Sequence, residues 1–325
     1  MRLRTICGLY AVAGVVACGG TGATGASGAT TGGASATGST GTTSASGSTA
    51  SGSAGTGAGG AGSASTSGSS GGSTTASSGG GTGGSAALCK RGIAANTAPG
   101  AAFSPAVAWW YDWALQGSGA GAGIEFVPMV WGSASLGKAI PAGSAFLLGF
   151  NEPNFQAQSN LTPQQAAADW PMVEAQASAT GALIASPAMN FCGPASQCNG
   201  TDPYQYLKDF FTACPGCKVD YVAVHWYNCD LPSLQDYLEP GGSLEGFEQF
   251  GKPIWLTEFS CGGSSTEAEQ EAYMKVAVPY LEGNPHVFRY SWFSADPIPN
   301  AQLINADGSP TALGQVYIGL PQSCP

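Results

Sequence analysis

Two glutamates end apolar runs of the sequence, in surroundings where a charged side chain is unfavourable. Glu152 follows Leu-Gly-Phe-Asn in residues 148–154, and Glu258 follows Ile-Trp-Leu-Thr in residues 252–260. An ionised carboxylate that leaves water must be paired, hydrogen-bonded or functional. Most other acids of the chain fall in loops or in the first turns of helices, where solvent or the helix dipole accommodates them. Glu152 and Glu258 are therefore the first candidates for chemistry.

A pair of carboxyl groups has the chemistry needed to hydrolyse a glycosidic bond. One protonates the leaving oxygen, and the other attacks the anomeric carbon or activates water. A separation of about 5–5.5 Å makes the second a nucleophile and retains configuration, whereas about 6.5–9.5 Å admits water and inverts it. The alternative is that both glutamates are partners in structural salt bridges. Few bases are available for that, because residues 88–325 contain 8 Lys and Arg and none adjoins either glutamate.

The charge and aromatic content of residues 88–325 narrow the class of ligand. These residues contain all 20 Asp and Glu, so with 8 basic residues their formal charge is −12. Nucleic acids and anionic membranes attract the opposite sign, and we expect no nucleic acid as a partner. The same part of the chain holds 8 Trp, 13 Phe and 10 of the 11 Tyr. Most of these rings are expected in the core. The high content of aromatic residues together with the low content of basic ones favours a neutral ligand with planar faces, such as a sugar.

The first 87 residues differ from the rest of the chain in composition. Residues 1–17 begin with Arg2 and Arg4, continue apolar and end in Val-Val-Ala before Cys18, which predicts a secretory signal peptide with a lipobox. We expect a lipid on Cys18, with an ordinary signal peptide as the alternative. After Cys18, residues 19–87 contain only Gly, Ser, Thr and Ala, which predicts a disordered linker over residues 18–87. The expected location is extracellular or at a bacterial cell surface, with the membrane reached only through that lipid.

Eight cysteines remain once residues 1–18 are set aside, an even number that in an exported chain argues for disulfide bonds. Cys89 and Cys324 bracket the folded part and could join its two ends. Cys214-Pro-Gly-Cys217 invites a zinc or redox interpretation, but the sequence has no second CxxC and His225 alone does not complete a metal site. We expect no metal and no cofactor.

Short apolar runs alternate with helix-like segments along residues 88–325, and several runs are apolar throughout, as in parallel strands. The predicted strands are residues 91–96, 109–114, 124–131, 146–150, 183–187, 221–226, 254–259 and 287–293. Eight strands interleaved with helices predict one α/β domain over 88–325, a (β/α)8 TIM barrel. A doubly wound open sheet is the main alternative. The second strand is the least distinct, because residues 105–116 could equally form a helix.

Capping residues mark the starts of three helices. Two have a proline in the first turn and one has a capping box, which predicts helices over 164–180, 204–213 and about 266–282. Pro171 and Pro279 lie inside two of them and are expected to kink or split those helices.

Several segments resemble a known group of enzymes. Asn151-Glu152-Pro153 at the fourth strand and Glu258 at the seventh resemble the clan of (β/α)8 retaining glycosidases, whose acid/base follows Asn on strand four and whose nucleophile ends strand seven. A closer resemblance, over nearly all of residues 90–319, is to glycoside hydrolase family 128, the alkali-sensitive-linkage type glycosyl hydrolases. The segments that carry it are KRGIA (90–94), FVPMVW (126–131), GFNEPN (149–154), SPA (186–188), YVAVHWY (221–227), WLTEF (255–259) and YSWF (290–293).

This resemblance implies endo-acting hydrolysis of β-1,3-glucan with retention, with Glu152 as general acid/base and Glu258 as nucleophile. Asn151 is then expected to hydrogen-bond the sugar 2-hydroxyl. His225 and Tyr227 share one face at the end of the sixth strand and are expected to orient Glu258 or contact the substrate. The alternative for His225 is a hydrogen-bonded histidine of the core.

Aromatic residues at strand ends are candidates to stack on sugar rings. The candidates are Trp131, Trp292 and Tyr111. Trp109, Trp170 and Trp255 lie in mid-strand or on a helix and are expected in the core. Residues 190–201 follow the fifth strand and could wall a cleft. The leading hypothesis is a monomeric endo-β-1,3-glucanase. The alternatives are a hydrolase of another β-glycan such as mannan, xylan or mixed-linkage glucan, and a glucan-binding module without turnover.

Overall fold

The computed structural model describes residues 89–119 and 123–324. These residues contain eight β-strands, five α-helices and four short 3-10 helices. The strands are β1 (Arg91–Ala94), β2 (Trp109–Tyr111), β3 (Glu125–Phe126), β4 (Phe146–Leu147), β5 (Leu183–Ile184), β6 (Val222–Trp226), β7 (Ile254–Phe259) and β8 (Val287–Phe293). The helices are α1 (Pro163–Ser178), α2 (Pro203–Ala213), α3 (Leu231–Leu238), α4 (Glu267–Gly283) and α5 (Ala312–Gly319). The 3-10 helices are Ala101–Phe103, Ser133–Ser135, Ala195–Gln197 and Phe247–Phe250.

The predicted signal peptide (1–17) and linker (18–87) lie outside the described residues. None of the helices in the two described stretches has the length and apolar character that a bilayer crossing requires.

Each predicted strand has a counterpart, and most are shorter than predicted. β7 and β8 have the predicted bounds, whereas β3 and β5 contain two residues each. Pro128 and Pro187 lie in the predicted extensions of β3 and β5, and a proline cannot donate to a strand ladder. The second strand is a strand and not a helix, because β2 pairs with β1 through Ile93 and Trp110.

All strand pairs of the described residues are parallel. Six strands form a sheet in the order β3-β2-β1-β8-β7-β6, and β4 pairs with β5 in a second sheet. Isolated parallel bridges join Met129 to Leu148, just after β3 and β4, and Ala185 to Tyr221, between β5 and β6. Helices α1 to α4 follow β4, β5, β6 and β7 in turn. Parallel strands that alternate with helices are an α/β fold.

The strands separate two apolar clusters, because successive residues of a strand point to opposite faces. Ile93 and Trp110 belong to a large cluster that also contains residues of the helices, such as Trp170. Their neighbours Ala94 and Tyr111 belong to a second cluster, made of strand and loop residues alone. This second cluster lies on the face of the strands away from the helices, and the catalytic candidates are found at one end of it.

Helices α1 and α4 begin at capping boxes in which a threonine side chain accepts from the N3 amide, and both continue past an internal proline. Of the two outcomes expected for Pro171 and Pro279, a kink or a split, the split does not occur, because each helix is continuous through its proline. An internal proline costs a helix about 3 kcal/mol. Burial of the adjacent Trp170 and Val278 in the large cluster offsets this cost.

Four disulfide bonds link the eight cysteines of the described residues. The pairs are Cys89–Cys324, Cys192–Cys198, Cys214–Cys217 and Cys229–Cys261. The predicted link between the two ends of the folded part is present, and the CxxC segment forms a disulfide of its own. Arg91 reinforces the same closure, since its buried guanidinium donates to the carbonyl of Tyr317 at 2.8 Å.

Candidate active site

Glu152 lies in the loop after β4 with its backbone in the left-handed region (φ 38°). Its amide donates to the carbonyl of Ala188, after β5, at 3.0 Å. The side chain is buried, and its Oε1 atom lies 2.9 Å from Nδ1 of His225 and 3.2 Å from Nδ2 of Asn190. A left-handed conformation is strained for a residue with a Cβ atom. The fold thus holds this carboxyl group in a conformation that the local sequence does not favour.

Glu258 lies in β7 and receives hydrogen bonds on both carboxylate oxygens. Tyr111 donates its hydroxyl to Oε1 at 3.0 Å, and the indole N–H of Trp113 donates to the same oxygen at 2.7 Å. The hydroxyl of Tyr227 donates to Oε2, and Nδ1 of His225 lies 3.1 Å from Oε2. A hydrogen bond to a charged group contributes about 1.5–3 kcal/mol, so these donors together fix the orientation of the carboxylate.

His225 connects the two glutamates. A register shift between Val224 and His225 in the β6–β7 ladder places His225 directly beside Glu258, and irregularities of this kind re-aim side chains next to active sites. The fully buried ring directs Nδ1 at both carboxylates, and the ligand atoms of the three side chains lie within 4.8 Å of one another. Oxygens this close fit the separation of about 5–5.5 Å between carboxyl groups better than the separation of about 6.5–9.5 Å that admits a water molecule.

Burial and charge shift the pKa values of this cluster. Burial, together with the neighbouring Glu152, raises the pKa of the Glu258 carboxyl, against the opposing effect of His225. Burial alone would lower the pKa of His225, but the two carboxylates outweigh it and raise that pKa. Burial and Glu258 also raise the pKa of Tyr111 and Tyr227 well above the usual tyrosine value. Both hydroxyls therefore keep their protons and remain donors to Glu258.

Glu152, His225 and Glu258 also form a group that could offer three ligand atoms to a metal ion, within the part of the chain described. A cation needs lone pairs directed at it. Here three further O–H and N–H donors are directed at Glu258, and Nδ1 of His225 already contacts both carboxylates. This arrangement suits the transfer of protons better than the binding of a cation.

Asn151 is buried beside Glu152 and has one unused acceptor. Its Nδ2 donates to Oε1 of Gln158 at 3.2 Å, while its Oδ1 has no hydrogen-bond partner among the described residues. An unsatisfied buried acceptor costs about 1–3 kcal/mol. Asn151 therefore retains an acceptor that a ligand hydroxyl could satisfy.

The structure places the predicted aromatic residues in three different settings. Tyr111 is fully buried and reaches Glu258 with its hydroxyl, so it offers no face to a sugar. Trp131 is half-buried, and its carbonyl accepts from the amide of Asn151 at 2.9 Å. Trp109, Trp170 and Trp255 are fully buried, as predicted.

Trp292 is not a sugar-stacking residue, which corrects the prediction. Its ring is fully buried in the large cluster, 5.1 Å from Phe259, and its N–H donates to the carbonyl of Ala301. The next residue, Phe293, points to the opposite face and packs 5.5 Å from both Trp113 and Tyr227. The prediction had therefore chosen the residue of β8 that faces the helices, Trp292, and not its neighbour Phe293, which faces the catalytic candidates.

Sequence reasoning missed Trp113 and Asn190 as residues of the site. Trp113 is 145 positions from Glu258, and Asn190 is 38 positions from Glu152. No local pattern marks such long-range hydrogen bonds. For Trp113 the one signal was its spacing of two residues from Tyr111, the last residue of β2, since Tyr111 belongs to the second cluster and Trp113 packs against it.

Comparison with known proteins places the chain among glycosidases. The family model of the glycosyl hydrolase catalytic core matches residues 92–317. Alkali-sensitive linkage protein 1 of Schizosaccharomyces pombe is 32% identical over 231 residues, which are 65% of this chain and 40% of the relative. The chain therefore spans about two fifths of the length of that relative.

Solved structures of similar proteins narrow the family. An endo-β-1,3-glucanase of family 128, subgroup II, from Sorangium cellulosum is 40% identical with a TM-score of 0.63, over 72% of this chain and 99% of that chain. A curdlan-specific exo-β-1,3-glucanase of subgroup III from Blastomyces gilchristii is 29% identical with a TM-score of 0.54, over 71% of this chain and 98% of that chain. The chain belongs to glycoside hydrolase family 128.

Proposed function

We propose that the protein is a retaining endo-β-1,3-glucanase that uses Glu152 as general acid/base and Glu258 as nucleophile. The observation that carries the proposal is that an oxygen of Glu152 and an oxygen of Glu258 lie within 4.8 Å of each other, with Nδ1 of His225 in contact with both carboxylates. Inversion needs about 6.5–9.5 Å to admit a water molecule, whereas about 5–5.5 Å suits direct attack.

The reaction then proceeds in two displacements. An oxygen of Glu258 forms a bond to the anomeric carbon as the bond from that carbon to the glycosidic oxygen breaks, and Glu152 gives its proton to that oxygen. The shortened glucan leaves as an alcohol. In the second step Glu152 takes a proton from water, the water oxygen bonds to the anomeric carbon, and the bond to Glu258 breaks. Configuration is inverted twice and hence retained.

The surrounding side chains have separate roles in this proposal. Tyr111, Trp113 and Tyr227 donate to Glu258 and hold it in one orientation. The unpaired Oδ1 of Asn151 accepts from the sugar 2-hydroxyl, an interaction that strengthens in the transition state of glycosidases. Trp131, which is half-buried next to Asn151, is the remaining candidate for stacking on a sugar ring.

The linkage and the endo mode of cleavage are proposed from the relatives. The endo-acting relative is 40% identical and the exo-acting one 29%, which favours internal cleavage. The test is the product profile on laminarin and on a reduced β-1,3-glucan oligomer of defined length. We expect a mixture of internal fragments whose first-formed anomer is β by proton NMR. Glucose as the first and single product would refute endo action, and a first-formed α anomer would refute retention.

Glu258→Gln separates catalysis from binding. The variant keeps the shape of the side chain but lacks the nucleophile, so we expect glucanase activity to be lost while affinity for glucan persists. Undiminished activity would refute the assignment of Glu258. The alternative of a binding module predicts that the wild-type protein binds glucan and releases no reducing ends, even after long incubation. A panel of mannan, xylan and mixed-linkage glucan tests the other alternative.

We also infer that the strands close into a (β/α)8 barrel. The support is that isolated parallel bridges connect both edges of the six-stranded sheet to the β4–β5 pair. One bridge lies just after β3 and β4, and the other lies between β5 and β6.

We further propose that the protein is a monomer and that the predicted signal peptide and linker of residues 1–87 display it at a bacterial surface. Incorporation of a labelled fatty acid that Cys18→Ala abolishes would support the lipid anchor, and undiminished labelling of that variant would refute it.

A further inference from the structure

The segment after β5 is fastened to the segment that carries Glu152. Asn154 is fully buried, and its Nδ2 donates to the carbonyls of Asn190 at 2.8 Å and of Gly200 at 3.1 Å. The amide of Asn199 donates to the carbonyl of Asn154 at 2.7 Å. Within the same segment the disulfide Cys192–Cys198 closes a loop. Residues 190–201 thus have a fixed position relative to Glu152.

The amide group of Asn190 has a defined orientation. Its Oδ1 accepts from the backbone N–H of Phe191 at 2.8 Å, which directs Nδ2 toward Oε1 of Glu152 at 3.2 Å. Oε1 is also the atom that lies 2.9 Å from Nδ1 of His225. No hydrogen bond among the described residues ends on Oε2 of Glu152. One oxygen of the carboxyl group is therefore held from two sides, and the other is left to a substrate.

We propose that Asn190 is a positioning residue for the general acid: it fixes Oε1 of Glu152 so that Oε2 carries the proton to the glycosidic oxygen. The inference rests on the proposed function. A side chain with two equivalent oxygens could rotate and present either of them. The contacts of Oε1 with Asn190 and His225 remove that freedom, and the loop closed by the Cys192–Cys198 disulfide fixes the position of Asn190 itself.

The test compares two leaving groups in the full-length protein. A glucan leaving group needs a proton from Glu152, whereas 2,4-dinitrophenolate leaves without one. We expect Asn190→Ala to lower kcat/KM on a β-1,3-glucan oligomer by about 10- to 100-fold, since a positioned acid contributes about 10²–10⁴-fold. On 2,4-dinitrophenyl β-laminaribioside we expect a change of less than about threefold, because kcat/KM there reports the attack by Glu258 alone.

Two further variants make the test specific. Asn190→Leu keeps approximately the size of the side chain and removes the donor without adding a charge beside Glu152, so it should show the same dependence on the leaving group; thermal unfolding of both Asn190 variants checks that they are folded. Asn199→Ala is the matched control. The side-chain Nδ2 of Asn199 donates to the carbonyl of Pro153 at 3.1 Å and to Oδ1 of Asn160 at 3.0 Å, and it makes no hydrogen bond to Glu152 or Glu258. Any loss in this variant should be equal for both substrates.

The outcomes are distinct. Equal losses on both substrates in Asn190→Ala would show a structural role and overturn the inference, as would unchanged activity on the glucan. A wild-type protein that cleaves neither substrate would refute the proposed function, and this inference with it.

Discussion

Trp113 donates its indole N–H to Oε1 of Glu258 at 2.7 Å. Trp113 follows β2 with a left-handed backbone (φ 60°), and its ring packs 5.3 Å from Tyr111 and 5.5 Å from Phe293. The proposed nucleophile in β7 is thus oriented by a residue that belongs to a distant part of the chain.

Trp113→Phe should lower kcat/KM on laminarin by about tenfold or more, because loss of a hydrogen bond to a charged group is worth about 1.5–3 kcal/mol. Trp110→Phe is the control, since Trp110 is fully buried and its N–H has no hydrogen-bond partner among the described residues. Steady-state kinetics and thermal unfolding should be measured for both. Equal losses of activity in the two variants would contradict the assigned role of the indole N–H.

Replacement of His225 should reduce activity more than replacement of any single donor to Glu258. His225 contacts both carboxylates, at 2.9 and 3.1 Å, so His225→Ala leaves two buried acids without their common partner. We expect kcat/KM on laminarin to fall by at least about 100-fold, since a misplacement of reacting groups by about 1 Å costs this much. His286→Ala is the control, because that ring is exposed and lies 3.8 Å from Glu248; a comparable loss there would be evidence against this prediction.

The loss of kcat/KM on the acid side of the pH profile, its acid limb, should reflect protonation of Glu258. Burial and Glu152 raise the pKa of Glu258, so this carboxyl is still protonated at pH values where an ordinary glutamate, with a pKa of about 4.3, is ionised. A protonated carboxyl cannot attack, and kcat/KM should therefore fall with decreasing pH at a midpoint above about 4.3. A midpoint at or below this value would refute the prediction.

Glu152→Gln tests the electrostatic part of the same shift. The substitution removes one of the causes that raise the pKa of Glu258, so the acid limb should move to lower pH. The dinitrophenyl substrate is the appropriate one, because its leaving group needs no acid. A limb that stays in place would mean that the charge of Glu152 does not contribute to the raised pKa of Glu258.

The four disulfides should contribute unequally to the free energy of unfolding. Cys89–Cys324 closes a loop with a sequence separation of 235, whereas Cys214–Cys217 spans 3. The chain-entropy model assigns about 5 kcal/mol to the first loop and about 2 kcal/mol to the second. Double Ser variants of each pair should be compared by denaturant unfolding. A greater loss for Cys214–Cys217 would contradict the prediction.

The pattern of apolar runs was sufficient to place the strands and the two glutamates, but not the parity of every side chain. Trp292 and Phe293 are both aromatic and adjacent at the end of β8, so composition does not distinguish the face toward the helices from the face toward Glu258. The β6–β7 register shift at His225 presents the same difficulty. Such irregularities depend on how neighbouring strands pack, and they have no local sequence signal.

The positive φ of Glu152 links activity to stability in opposite directions. A residue with a Cβ atom loses roughly 1–2 kcal/mol in this conformation relative to glycine. Glu152→Gly should therefore relieve strain at the same moment that it removes the acid. Catalysis needs the glutamate here while the backbone would be relaxed by glycine, so this position is a trade-off between stability and activity.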